Sequence, residues 1–161
     1  MRSWQDYKTT MDEELPQFIW AREGRLIALK SLELDPELIN RKNHKGHSAL
    51  MLAAYNGHVE ATEWLISQGA DVNSIDGSGN SILMGVAFKG HLSILNLLLK
   101  NGADAGYSNE KGQTALDFAQ MFGRSDVVKK LKSNRNQPEV FGFQDFLKSW
   151  ISVFNKKGVR S

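Results

Sequence analysis

The sequence predicts an all-α solenoid, in which helix–turn–helix units stack side by side and hairpin loops project from one edge. Three observations carry this reading. Gly46, Gly79 and Gly112 are spaced by 33 residues, and so are Gly57, Gly90 and Gly123. Leu50, Leu83 and Leu116 fall at the same spacing. The stretches between these markers carry the start and stop signals of two short helices.

Taken in order, Trp4, Tyr7 and Met11 share one face of a short helix that would cover the N-terminal end of the stack. Residues 15–42 read as a divergent first unit. Gly24 lies 33 before Gly57, Leu26 lies 33 before Val59, and Asn40 lies 33 before Asn73. Helices are expected near 15–22 and 25–34, with Pro36 blocking continuation of the second. A degenerate pattern suits a terminal, capping repeat.

The clear units are 43–75, 76–108 and 109–133. Ser48, Ser81 and Thr114 place a hydroxyl where it can cap the N-terminus of a first helix. Ala53 and Ala54 keep that helix thin enough to pack closely on its neighbour. Gly57, Gly90 and Gly123 end it. A second helix follows, with Val59, Trp64, Leu65 and Ile66 expected on an apolar face. Gly69 and Gly102 stop that helix. The polar, glycine-rich stretch Asp71–Gly79 is expected to form a protruding hairpin. In the last unit Lys130 and Lys132 stand where Leu97 and Leu99 stood, as suits the end of a solenoid.

Residues 134–142 read as a linker. Phe143, Phe146, Leu147, Trp150, Ile151 and Phe154 then follow at helical spacing along one face. Residues 129–161 carry a net charge of +6 and residues 1–128 one of −4. Two readings of this basic, aromatic segment stay open. It can fold back to cap the last repeat, which a solenoid end favours. It can also offer Phe143, Phe146, Trp150 and Phe154 as a second contact for a partner or a membrane surface. The division expected is therefore a repeat domain over 1–133 and a linker with an amphipathic helix over 134–161.

The motifs quoted resemble those of the ankyrin repeat family. They are Gly46/Ser48/Leu50, Ala54/Gly57/His58 and Gly69/Ala70/Asp71, then Gly79/Ser81/Leu83, Ala87/Gly90/His91 and Gly102/Ala103/Asp104. The resemblance covers 43–133. It departs from the family where Ala49, Ile82 and Ala115 replace the usual proline, and where Met51, Met84 and Asp117 replace the usual histidine. It therefore implies that the Thr–His hydrogen bonds common between such repeats are missing.

Composition narrows the chemistry. Of 161 residues 41% are apolar and 24% charged, the proportions of a folded globular chain. There is no cysteine, which excludes disulfides, thiolate zinc sites and a cysteine nucleophile. His44 and His47 lack the further ligands that a structural zinc ion needs. Gly77-Ser78-Gly79 lacks the lysine and the strand-to-helix setting of a phosphate loop. His58 and His91 belong to the repeat. A non-enzyme without cofactor or metal is expected, and with a net charge of +2 and acidic repeats, nucleic acid is not the expected partner. No apolar run is long enough for a leader or a membrane span. The expected place is the cytoplasm, with the periplasm or secretion as the alternative if a leader has been removed.

What the resemblance implies is a protein-binding module, monomeric on its own, using the hairpin tips and the exposed side of the first helices. On this sequence the tips are Arg41, Lys42, His44, Lys45 and His47, then Ile75, Gly77, Ser78 and Asn80, then Tyr107, Glu110, Lys111 and Gln113. Arg22, Tyr55, Phe88 and Met121 form a row at the ends of successive first helices. Blocking an enzyme is the simplest action for a chain of this size, an immunity or self-protection protein being one case. An adaptor or membrane-surface scaffold is the alternative.

Overall fold

The computed structural model describes residues 15–32 and 35–135. The segments read as an N-terminal lid (Trp4, Tyr7, Met11) and as a C-terminal amphipathic helix (Phe143, Phe146, Trp150, Phe154) lie outside the described residues. Within them run nine helices: α1 Pro16–Glu23, α2 Leu26–Lys30, α3 Pro36–Asn40, α4 Ala49–Tyr55, α5 Val59–Ser67, α6 Ile82–Lys89, α7 Leu92–Lys100, α8 Ala115–Met121 and α9 Ser125–Arg135. Among these residues the only β-pairing is a single antiparallel bridge at the base of each hairpin: Lys42 with Ser48, Ile75 with Ser81, and Ser108 with Thr114.

The predicted caps form. The Ser48 and Ser81 hydroxyls accept from the backbone N–H of Met51 and Met84, at 3.2 and 3.3 Å. Thr114 goes further and builds a reciprocal box. Its hydroxyl accepts from the Asp117 N–H, and Asp117 Oδ2 accepts from the Thr114 N–H at 2.8 Å. Asp117, which departs from the family's histidine, thus caps its own helix.

Helices α1, α4, α6 and α8 form one row, and α2, α5, α7 and α9 a second. The first row packs the more extensively. Its contacts run through small residues with no exposed surface, such as Ala53, Ala54, Ala87 and Ala119. Leu50, Leu83, Leu65, Leu95 and Leu98 fill the layer between the rows. Around α5 the buried residues are Ala61, Thr62 and Leu65, whereas Val59 is exposed and Trp64 and Ile66 are half-covered. The outer helix therefore buries a narrower stripe than its apolar residues suggest.

Hydrogen bonds join successive repeats by two routes. Asn40 Oδ1 accepts from the Asp71 N–H and its amide donates to the Gly69 carbonyl. Asn73 does the same one repeat later, with the Asp104 N–H and the Gly102 carbonyl. In the second route the side chain that opens each outer helix reaches back to a carbonyl at the end of the preceding inner helix. His58 Nε2 lies 2.9 Å from the Arg22 oxygen, and Arg124 Nε donates to the Phe88 oxygen at 2.9 Å.

The divergent first unit differs from expectation in one respect. Its second helix stops at Lys30 rather than running toward 34. Pro36 does not merely block that helix; it heads the separate helix α3. Proline suits the first turn, where no N–H is needed. Asp35 caps α3 by accepting from the Glu37 and Leu38 N–H groups.

Candidate functional site

Each finger is built on one side chain at the 33-residue spacing. Asn43 Oδ1 accepts from the N–H of Lys45 and His47. Asp76 Oδ1 accepts from Ser78 and Asn80, and Asn109 Oδ1 from Lys111 and Gln113. The fingers are also tied to one another. The Gly77 N–H donates to the Lys45 carbonyl at 2.9 Å, and Lys42 Nζ to the Ile75 carbonyl at 2.8 Å. The Tyr107 hydroxyl donates to the Gly79 carbonyl, and the Asn109 amide to Asn80 Oδ1, both at 2.9 Å. The loops thus form a connected row, with much of the ordering entropy already spent before any partner arrives.

Along the C-terminal ends of the inner helices runs an aromatic ladder. Tyr55 and Phe88 are stacked, centroids 6.2 Å apart and planes 7° from parallel. Phe122 meets Phe88 edge-on at 4.4 Å. Tyr55 remains 37% exposed and Phe122 43%, while Phe88 between them is half-buried. Lys89 Nζ lies 5.0 Å from the centre of the Tyr55 ring, a cation–π distance.

Gly85 shapes this surface. It occupies the middle of α6, where the same register position is Leu52 one repeat earlier and Phe118 one repeat later. A Cβ there would come within 3.2 Å of Tyr55 Cδ2, so the ring lies directly over the glycine. Beside the ring lies a cleft of about 420 Å3, lined by His47, Met51, Tyr55, Met84, Phe88 and Phe118 among others. A second, more open cleft of about 520 Å3 adjoins it, sharing His47, Leu52 and Tyr55 and adding Arg22 and Lys45.

His47 sits where the two clefts meet. Burial pushes its pKa below the ordinary 6.5, opposed by the Asp76 carboxylate and reinforced by the nearby charges of Lys45, Arg22 and His44. Its ring is therefore held neutral near pH 7. No group of three or more His, Cys, Asp or Glu among the described residues could hold a metal ion. None of the described helices is long and apolar enough to cross a membrane.

The row expected from the sequence is partly redrawn. Arg22, Tyr55 and Phe88 do lie along the inner helix ends, and Arg22 and Tyr55 share a cleft. Met121 is 62% exposed, but the ring against Phe88 belongs to its neighbour Phe122. Arg41, Lys42, His44, Lys45, Ile75, Ser78, Glu110 and Lys111 are exposed finger residues. Among the exposed ones Lys42 is bonded to the Ile75 carbonyl. Tyr107, Asn80, Gln113 and His47 are covered further. The first two hold neighbouring fingers together, Gln113 meets the Asn109 amide at 3.3 Å, and His47 is half-buried. Gly85 and Phe122 were missed. A glycine amid good helix formers was the available signal for Gly85. Nothing in the 33-residue spacing points to Phe122, which lies one residue off the row.

A family model described as "Ankyrin repeats (3 copies)" matches residues 17–109 and again 51–141. Over 70 residues the chain is 36% identical to Alpha-latroinsectotoxin-Lt1a of Latrodectus tredecimguttatus. That stretch is 43% of this chain and 5% of the toxin's length, so the likeness concerns a small part of a much larger protein.

Proposed function

The chain belongs to the ankyrin repeat family, whose repeats are general protein–protein interaction modules, and from that premise we propose that it is a regulator that binds one partner protein and blocks it. The observation that carries this is the Tyr55–Phe88–Phe122 ladder, solvent-facing aromatics mounted on hydrogen-bonded supports. Aromatic side chains in such settings supply most of the energy at protein interfaces. The fingers add charged and polar groups around them, which suit the rim of an interface.

An enzyme is the partner class we favour. Covering a partner's surface is the direct way for binding by a rigid repeat stack to have an effect. An immunity or self-protection protein would be one such inhibitor. The reading is of a non-catalytic protein, acting by contact alone.

The test is affinity capture from lysate of the source cells, with the full chain and with the Tyr55→Ala/Phe88→Ala double variant, identified by mass spectrometry. A partner held by the first and lost by the second supports the site. If that partner is an enzyme, stoichiometric addition of the chain should reduce its turnover. Capture unchanged in the variant would move the binding surface elsewhere. Capture without any change in activity would replace inhibition by tethering.

A further inference from the structure

We propose that the paired clefts select an acidic partner segment, one of whose apolar side chains enters the apolar cleft beside Tyr55 and Gly85 while a carboxylate beside it meets Arg22 and Lys45. This rests on the protein-binding reading above and gives the partner a chemistry.

Two features point to it. The first is the cleft itself. Glycine in a helix interior costs about 1 kcal/mol relative to alanine, and α6 is otherwise composed of residues that pack well. The register position holds Leu52 and Phe118 in the flanking repeats, so an apolar side chain belongs in this layer. At Gly85 the chain leaves it out, the Tyr55 ring settles against the glycine, and Tyr55, Met84 and Phe88 wall an apolar cleft beside it. That cleft has room for an incoming side chain of leucine or phenylalanine size.

The second is charge. Arg22 and Lys45 line the adjoining cleft, and Lys89 stands over the Tyr55 ring that both clefts share. Three cations therefore surround the apolar wall. The acidic group in the first cleft, Asp76, is already held by the Ser78 and Asn80 N–H groups and by the Asn80 amide. A partner segment with carboxylates flanking an apolar anchor is electrostatically complementary to this arrangement. A basic segment would meet like charges on both sides of Tyr55.

The experiment is selection of a random twelve-residue peptide library displayed on phage against the full chain, followed by titration of fluorescently labelled synthetic copies of the enriched peptides. Enrichment of Asp or Glu next to Leu, Phe or Trp is expected. Three variants then divide the proposal. Gly85→Ala should weaken binding on the order of tenfold, because its Cβ, 3.2 Å from Tyr55 Cδ2, pushes the ring into the cleft, and a cooperative melting curve shows that the variant still folds. Arg22→Glu/Lys45→Glu should weaken the same peptides on the order of tenfold and steepen the loss at low salt. Tyr55→Ala reports whether the ladder binds at all. Enriched peptides that are neutral or basic, or that ignore Gly85→Ala or the charge reversal, overturn this proposal. If those peptides still depend on Tyr55, the protein-binding site stands without the acidic specificity. Peptides insensitive to all three variants, or no enrichment on the parent chain, count against both.

Discussion

His91 Nε2 lies 3.2 Å from the carbonyl oxygen of Tyr55, reaching back from the start of one outer helix to the end of the previous inner helix. The same relationship joins His58 to Arg22 and Arg124 to Phe88. The residues whose carbonyls are held, Arg22, Tyr55 and Phe88, are those whose side chains form the candidate site. Stacking of the repeats and placement of the candidate row are thus one set of contacts. The end of a helix leaves carbonyls without partners, and each repeat supplies a donor to the repeat before it.

His91→Ala should therefore cost about 1–2 kcal/mol, since it strips a donor from the Tyr55 carbonyl. It should also weaken partner binding by freeing the end of α4. His91→Arg should recover much of both, because Arg124 performs this task at the same register position. Urea melts of the three proteins, with titrations against a bound partner, check it. A fully stable His91→Ala variant would show that the bond contributes nothing.

Three glycines with positive φ should respond to alanine in a definite order. At Gly102 (φ 86°) a Cβ meets nothing within 4 Å, so Gly102→Ala carries only the left-handed strain of about 1–2 kcal/mol. At Gly57 (φ 86°) a Cβ would also lie 3.0 Å from His91 Cε1, against a ring already engaged with Tyr55. At Gly46 (φ 77°) it would run into the backbone nitrogen of Gly77, which donates to the Lys45 carbonyl. Backbone cannot step aside as a side chain can. The expected loss of stability rises from Gly102→Ala through Gly57→Ala to Gly46→Ala, and thermal melts would reveal any other order.

Leu98 is 0% exposed in α7, within the layer between the two helix rows. Leu98→Ala should cost about 2–5 kcal/mol, the transfer and cavity terms together. Because the repeat is central, both neighbouring interfaces lose contact. An unchanged denaturant midpoint would contradict the packing described.

The stack was legible in the sequence because its determinants repeat at one spacing: the hydroxyl caps, the glycine stops and the buried leucines. The role of positions 58, 91 and 124 was not. Histidine and arginine look unlike as letters, and only their shared reach to a carbonyl unites them. Pro36 was legible as a break but not as a beginning, since proline does either according to whether a cap such as Asp35 precedes it. For the candidate site, spacing placed Tyr55 and Phe88 toward the ends of successive inner helices, where the structure has them. It could not reveal that Phe88 is covered on both sides, because ring contacts between repeats depend on tilt. Nor could it separate an exposed finger tip from one pinned to its neighbour, as Tyr107 is to Gly79.

The pH response should trace to His47. Burial disfavours its charged form, so its folded-state pKa lies below the ordinary 6.5 despite Asp76. Between those two values the unfolded chain binds more protons than the folded one, and stability falls as pH falls. Well above 6.5 both forms are neutral and His47 contributes no slope. Melting temperatures measured from pH 8 down to pH 5 should decline more in the parent than in His47→Gln. Parallel curves would mean that the ring is as well solvated as in the unfolded chain.

Tyr55 and Phe88 should separate binding from stability to different degrees. Tyr55 stacks on Phe88 from one side only and keeps an exposed ring, so Tyr55→Ala should leave the fold nearly intact. Phe88 has Tyr55 stacked against it and Phe122 edge-on, so Phe88→Ala removes two aromatic contacts, each worth about 0.5–1.5 kcal/mol. Both losses should stay below that of Leu98→Ala, whose side chain is wholly enclosed. Against a partner, each aromatic truncation should weaken binding by about 1–3 kcal/mol, as interface anchors do. The double variant should lose less than the two singles together, because the rings touch and their contributions are coupled. Lys45→Ala and Lys111→Ala, at exposed finger tips, should act mainly on the association rate and its salt dependence. Calorimetric titration for the aromatic variants and stopped-flow association for the lysine variants measure these quantities. Parent-like affinity in both aromatic variants would remove the ladder from the interface. Strict additivity would mean that the two rings contact the partner independently, despite lying 6.2 Å apart.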